Sequence, residues 1–268
     1  MKIPKEIQAI IDWFIGLFSG GSKPPKIKDH RASFLMDNGD TRVMNILSYN
    51  CPEAHFKHVV GKCLANGDTV IYLYTSNVRD GAPVPTSFYV NDDLGGTIDK
   101  AKLTMMQGRM EYCRKKGLAI VAWLFADDSS RNSRDPDKIR YTQDVVRHFG
   151  EYISEYVVAL EANEHMKEAD CQAVALALHQ LDSKKPVGIH MTTGSYGWGK
   201  AGCYDKMYFQ YGFGRSLAAI ESQTRSVVAA LKKPVIAAEY NLSSQTNEAK
   251  AQGQAAMRGG AVGTGNGR

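Results

Sequence analysis

Two carboxylates in this chain stand where acid and base chemistry could be done. Glu164 closes the segment Leu160-Glu161-Ala162-Asn163-Glu164, and Glu239 closes Pro234-Val235-Ile236-Ala237-Ala238-Glu239, with Asn163 beside the first and Tyr240 beside the second. Each follows an apolar, β-branched run, so each is expected at the end of a strand. Two carboxyl groups brought face to face can divide labour, one protonated to assist a leaving oxygen and one ionised to attack carbon or activate water. A single glutamate at a strand end serves equally well in a salt bridge; two in this relation favour chemistry.

Further polar and aromatic groups close other apolar runs: Asn50, Trp123, His190 and Tyr211. Amides and carboxylates hydrogen-bond hydroxyl groups, and aromatic faces stack on the C–H faces of sugar rings, so the mixture suits a carbohydrate better than a phosphate or a nucleobase. Trp198 is a second stacking candidate. Arg79, in the long loop after the second run, could bind an acidic sugar or support a nucleophile, although a solvated loop arginine is the commoner situation. Glu161 shares strand parity with Asn163 and could orient it from behind.

No metal and no cofactor are expected. His55-x-x-His58 offers two imidazoles on one helical face with Cys51 and Cys63 nearby, but a metal needs three or four ligands in defined geometry. The HExxH and GxSxG signatures are absent. Gly263-Thr264-Gly265-Asn266-Gly267 has the glycines of a phosphate loop without the following helix that such a loop uses. Two rival readings differ in kind. One is a metal-dependent hydrolase or lyase built on Glu161, Glu164, His165 and His190; the other is a barrel that binds carbohydrate without turnover.

The elements that would position these groups repeat one pattern: a β-branched or aromatic run, a polar loop, then an amphipathic helix. Eight runs fit it, at Val43–Tyr49, Thr69–Thr75, Leu118–Phe125, Tyr156–Ala162, Pro186–Thr192, Asp205–Tyr211, Pro234–Glu239 and Gly260–Thr264. Helical spacing is clearest in Gly96–Lys116, Asp135–Ile153, His165–Leu181 and Ser216–Lys232, while 194–203 reads as a loop. Alternation of strands and helices implies parallel pairing, and eight strands in this length imply a (β/α)8 barrel of the α/β class. A doubly wound sheet would need a glycine-rich loop after the first strand, where Asn50-Cys51-Pro52-Glu53 stands instead. The chain is read as a single catalytic barrel over 33–268, preceded by an amphipathic helix over 1–20 and a linker over 21–32. The stripe Ile7, Ile10, Ile11, Phe14 and Phe18 is expected to dock where a helix after the eighth strand would lie, or else to bind a membrane surface or partner. A hairpin turning at Asp37-Asn38-Gly39-Asp40 is expected to plug the barrel bottom. Lysine pairs at 115–116, 184–185 and 232–233 are expected to finish helices on that bottom face.

With the two strand ends in place, the chain resembles the clan of retaining (β/α)8 glycoside hydrolases that carry Asn-Glu at strand four and Glu at strand seven. The motif similarity is confined to 160–164 and 233–240. The resemblance implies that Glu164 is the general acid/base, Glu239 the nucleophile, Asn163 a donor to the sugar 2-hydroxyl and Tyr211 the aromatic hydroxyl that contacts the nucleophile. The chain departs from the pattern at His165, at Asn241 and at strand eight, which lacks a tryptophan platform. The implied activity is cleavage of β-glycosidic bonds inside a polysaccharide.

Composition agrees with such a protein. In 268 residues, 43% hydrophobic and 23% charged, the bulk of the chain has the makeup of a globular domain. The net charge of +5 is small and not clustered with aromatics, which gives no support to nucleic acid as a partner. No apolar run reaches the ~18 residues of a membrane span. Residues 7–18, interrupted by Asp12, make a poor signal peptide. Five scattered cysteines suggest free thiols and synthesis in the cytoplasm, with export by another route left open. The protein is expected to be a monomer.

Overall fold

The computed structural model describes residues 26–32, 46–77, 86–125, 137–192, 194, 196–240 and 247–265. Within them lie eight parallel strands: β1 (His30–Arg31), β2 (Val70–Tyr74), β3 (Ala119–Phe125), β4 (Ile153–Ala159), β5 (Val187–Met191), β6 (Lys206–Gln210), β7 (Val235–Glu239) and β8 (Gly263–Thr264). They form one sheet in the order β1-β8-β7-β6-β5-β4-β3-β2. At its open seam the Thr69 amide donates to the Arg31 carbonyl at 2.9 Å, and the Arg31 amide donates to the Thr69 hydroxyl at 3.1 Å. The seam between β1 and β2 is thereby drawn together, and the architecture is a (β/α)8 barrel.

Among the described residues six helices cover the outside: α1 (Glu53–Ala65), α2 (Lys100–Lys115), α3 (Lys138–Phe149), α4 (Glu168–Leu181), α5 (Leu217–Leu231) and α6 (Asn247–Arg258). Three start on side chains that accept orphan amide hydrogens, Asp99 for α2, Asp137 for α3 and Ser216 for α5. Among the described residues between β5 and β6 there is no α-helix, and the 3-10 turn Gly197–Lys200 stands there instead. Lys233 reaches that turn, donating to the carbonyls of Gly199 and Ala201 at 3.1 and 2.5 Å. Lys115 ends α2, Lys116 and Lys232 cap α2 and α5, and Lys185 donates to the Gly150 carbonyl just beyond α3.

Two readings of the sequence are corrected. The first barrel strand is His30–Arg31, from the stretch read as linker, and residues 46–50 are turns rather than the end of a strand. A two-residue strand has no apolar run to betray it; pairing with β8 and Thr69 defines it. The fourth strand runs Ile153–Ala159, three residues earlier than read, because Ser154 and Glu155 disguise its start. The N-terminal helix, the hairpin turn and Arg79 lie outside the described residues.

The apolar interior has two layers. Between strands and helices lies the larger, which includes Phe56, Met106, Met110, Tyr141, Phe149, Leu178 and Val227. Inside the barrel, Val70, Tyr74, Val121, Trp123, Val157, Tyr208 and Ile236 alternate with the outward residues of the same strands. The rings of Tyr72, Trp123 and Tyr208 meet at centroid distances of 5.3–6.0 Å. Below them Glu155, buried, accepts from Tyr208 Oη at 2.6 Å and pairs with Lys206 Nζ at 2.5 Å. The space for this aromatic filling comes from strand eight: a Cβ on Gly263 would lie 2.5 Å from that of His30, and one on Gly265 would collide with Tyr72. Gly263 and Gly265 are thus packing requirements of the barrel interior.

Candidate active site at the C-terminal ends of the strands

Beyond Ala159 the chain stays paired for one more residue, the Leu160 amide donating to the Phe125 carbonyl at 2.8 Å. Glu161 then adopts the left-handed region, with φ 46° and ψ 45°, and a single helical turn follows over Ala162–His165. Side chains rarely take that conformation without local support. Support comes from β5: the Glu161 amide donates to His190 Nδ1 at 2.9 Å. Asn163 is held twice, its Nδ2 donating to Thr192 Oγ1 at 2.6 Å and its Oδ1 accepting from the Thr192 amide at 3.0 Å. Glu164 therefore sits on a clamped turn rather than on the strand, and it is exposed.

His190 is fully buried, and burial holds its imidazole down to about 3, so it is neutral at ordinary pH. Because Nδ1 accepts, the proton resides on Nε2. That atom and Trp123 Nε1 find no hydrogen-bond partner among the described residues, and the two rings lie 5.1 Å apart. Trp123, 1% exposed, is thus part of the floor beneath the mouth rather than an open stacking face.

Glu239 ends β7 and is half-buried. It pairs with Gln210 across an irregularity, since Phe209 opposes Ala237 and Gln210 opposes Glu239. Lys206, Tyr208 and Gln210 share one strand parity, and Lys206 and Tyr208 face the barrel interior. The extra residue in β7 shifts its alternation by one, so that Glu239 joins Gln210 on this inward row after Ala238. Glu164 and Glu239 accordingly belong to the same end of the barrel, three strands apart along the wall.

Other candidates are placed elsewhere. Tyr211 has its hydroxyl on Thr224 Oγ1 of α5 at 2.7 Å, and Tyr240 packs its hydroxyl against Gly253 of α6. Both lie in the layer between strands and helices, because residues 209 and 211 have the outward parity and the irregularity in β7 sends Tyr240 outward as well. Trp198 sits in the 3-10 turn held by Lys233 and packs on that same outer layer. Asn50 is exposed in a turn ahead of α1, its amide donating to Ser48 Oγ at 3.2 Å. Glu161 is 3.5 Å from His165, and potential ligand atoms of Glu161, Glu164 and His165 all lie within 4.8 Å of one another.

Two residues with a role at this end of the barrel escaped the sequence reading. Thr192 was visible only as a strand terminus. Arg109, buried, donates to the carbonyls of Ile46, Ser48 and Cys51 at 2.6–2.7 Å and fixes the segment leading into α1. Its signal was an arginine inside the apolar stripe of α2, between Met106, Met110 and Cys113.

No family model matches the chain, and no curated protein matches it in sequence. Solved structures do match its fold. A glycoside hydrolase family 5 structure from Bacteroides vulgatus superposes with a TM-score of 0.61 at 13% identity, covering 92% of this chain. The endo-1,4-β-mannanase of Eisenia fetida gives 0.58 at 12% identity, covering 92% of this chain and 85% of its own. The β-mannanase of the blue mussel Mytilus edulis gives 0.57 at 10% identity, covering 88% and 85%. The chain spans 50–57% of the length of the two Bacteroides vulgatus structures it matches. The chain therefore shares its barrel fold with these glycoside hydrolase and mannanase structures.

Proposed function

We propose that the protein is a glycoside hydrolase that cleaves β-glycosidic bonds of a polysaccharide by retaining double displacement. What supports this reading is that Glu239 ends β7 and Glu164 lies on the turn that follows β4, both toward the end of the barrel at which (β/α)8 enzymes do their chemistry. Glu164 is the general acid/base and Glu239 the nucleophile. Protonation of the leaving oxygen by Glu164 accompanies attack of Glu239 on the anomeric carbon; Glu164 then removes a proton from the water that releases the sugar. Solved structures of similar fold that are named for β-mannanases support a β-linked polymer as substrate. The test is a panel of β-linked polysaccharides assayed with wild type, Glu164→Gln and Glu239→Gln. Each variant is expected to lose at least ~10³-fold in kcat on the polymer that wild type cleaves. Undiminished hydrolysis by either overturns the assignment, and inversion at the first product overturns retention.

A second reading is favoured by the convergence of Glu161, Glu164 and His165. In it the three hold a divalent cation that activates water for hydrolysis. Loss of turnover after dialysis against a chelator, restored by adding back the metal, would select it over the first.

A further inference from the structure

We infer that His190 and Thr192, both from the end of β5, are positioning residues for Glu164, and that Asn163 acts with them through its side-chain amide. The inference rests on the glycosidase reading for the meaning of Glu164 but not for the clamp itself. Three hydrogen bonds join the two segments: Glu161 amide to His190 Nδ1, Asn163 Nδ2 to Thr192 Oγ1, and Thr192 amide to Asn163 Oδ1. They bracket a non-glycine residue that is held in the left-handed region, three residues before Glu164. The turn closes with the Glu164 amide donating to the Glu161 carbonyl at 2.8 Å, so the backbone bearing the carboxylate is fixed by the conformation of Glu161.

The donor and acceptor arrangement has one solution. The Glu161 amide can only donate, so His190 must present an unprotonated Nδ1, and a buried neutral imidazole does so. Thr192 Oγ1 accepts from Asn163 Nδ2 while the Thr192 amide donates to Asn163 Oδ1, leaving the asparagine both a donor and an acceptor short of its full complement. Asn163 is thereby committed first to orienting the turn. Loss of these bonds would let the turn swing and carry Glu164 off the leaving oxygen. A displacement of about 1 Å in a reacting group is enough for ~10²-fold in rate.

Leaving-group dependence separates this role from a merely structural one. The proteins to compare are wild type, Thr192→Val, which keeps the shape and loses the acceptor, Thr192→Ser, which restores it, and His190→Asn, whose side-chain oxygen can stand in for Nδ1. The substrates are phenyl and 2,4-dinitrophenyl β-glucosides and β-mannosides, the second leaving group requiring no proton. For Thr192→Val, kcat/KM is expected to fall about 10- to 100-fold on the phenyl glycosides and about twofold or less on the dinitrophenyl ones. Thr192→Ser and His190→Asn, which each keep an acceptor, are expected to retain most of the wild-type rate on both leaving groups. Equal losses on both leaving groups, or no loss on either, would overturn the inference.

Amide hydrogen exchange supplies a readout that needs no turnover. In Thr192→Val, faster exchange is expected at 161–165 with the rest of the barrel unchanged; unchanged exchange at 161–165 would also overturn the inference. Should wild type cleave none of these glycosides nor any polysaccharide of the panel, the glycosidase reading falls, and the exchange result decides the clamp on its own.

Discussion

At the scale of single residues, the two buried histidines tie stability to pH. His30 and His190 are both held down to about 3, chiefly by burial, with Lys206 adding to the effect on His30. In the unfolded chain each would titrate near 6.5. Below that value the unfolded state takes up protons that the folded state refuses, so their contribution to stability is intact above about 6.5 and is lost as the pH falls toward 3. Each histidine accounts for about 1.4 kcal/mol per pH unit inside this window. Urea midpoints measured from pH 7 to pH 4 should therefore fall steeply, and the slope should flatten in His30→Gln. An equal slope in that variant would mean that His30 contributes nothing to the acid limb. His190 also shows how residue-level reading divides. Its place at a strand end was legible, but its role as an acceptor for a strained amide was not, because that role depends on the φ of Glu161, twenty-nine residues away.

At the scale of elements, what could be read from the sequence was what local pattern carries. Ala119–Phe125 is apolar at every position and buried at every position, and could hardly be mistaken. Ser216 stood at the start of its helical pattern and caps α5, whereas the pattern read from Gly96 began ahead of the helix that Asp99 caps. Ile153–Ala159 was displaced because an inward glutamate looks like the end of a helix, and Glu155 is tolerated only through Lys206 and Tyr208, about fifty residues on. Burial pushes the Glu155 carboxyl up, and Lys206 opposes that shift. Removing one partner of such a pair leaves a buried group without its counterpart. Lys206→Met is therefore expected to cost about 3–5 kcal/mol in urea unfolding, and Glu155→Gln added to it should restore part of the loss. Additive losses in the double variant would show that the pair does not act as a unit. The inward or outward facing of tyrosines was equally illegible: a single irregularity in β7 decides the side on which Tyr240 falls.

At the scale of the whole molecule, the barrel was legible from its repeat, while the seam that closes it was not. Outside β8 and on the flank of α6, Val262 and Met257 leave 52% and 45% of their surface exposed. The N-terminal stripe of Ile7, Ile10, Ile11, Phe14 and Phe18 is the proposed cover for this face. Deleting residues 1–20 should then lower Tm by about 5 °C or more, whereas an unchanged Tm would assign the stripe to a surface or partner outside the barrel. Among the described residues no helix is long and apolar enough to cross a membrane. The ring stack inside the barrel has an optical consequence. Trp123 is screened from water and packed among Tyr72, Tyr74, His190 and Tyr208, while Trp198 is half-buried among the outer elements. Indole emission from Trp123 should be blue, resistant to iodide and fed by energy transfer from the tyrosines. Its red shift during unfolding would time the opening of the barrel interior separately from the loosening of its helical coat.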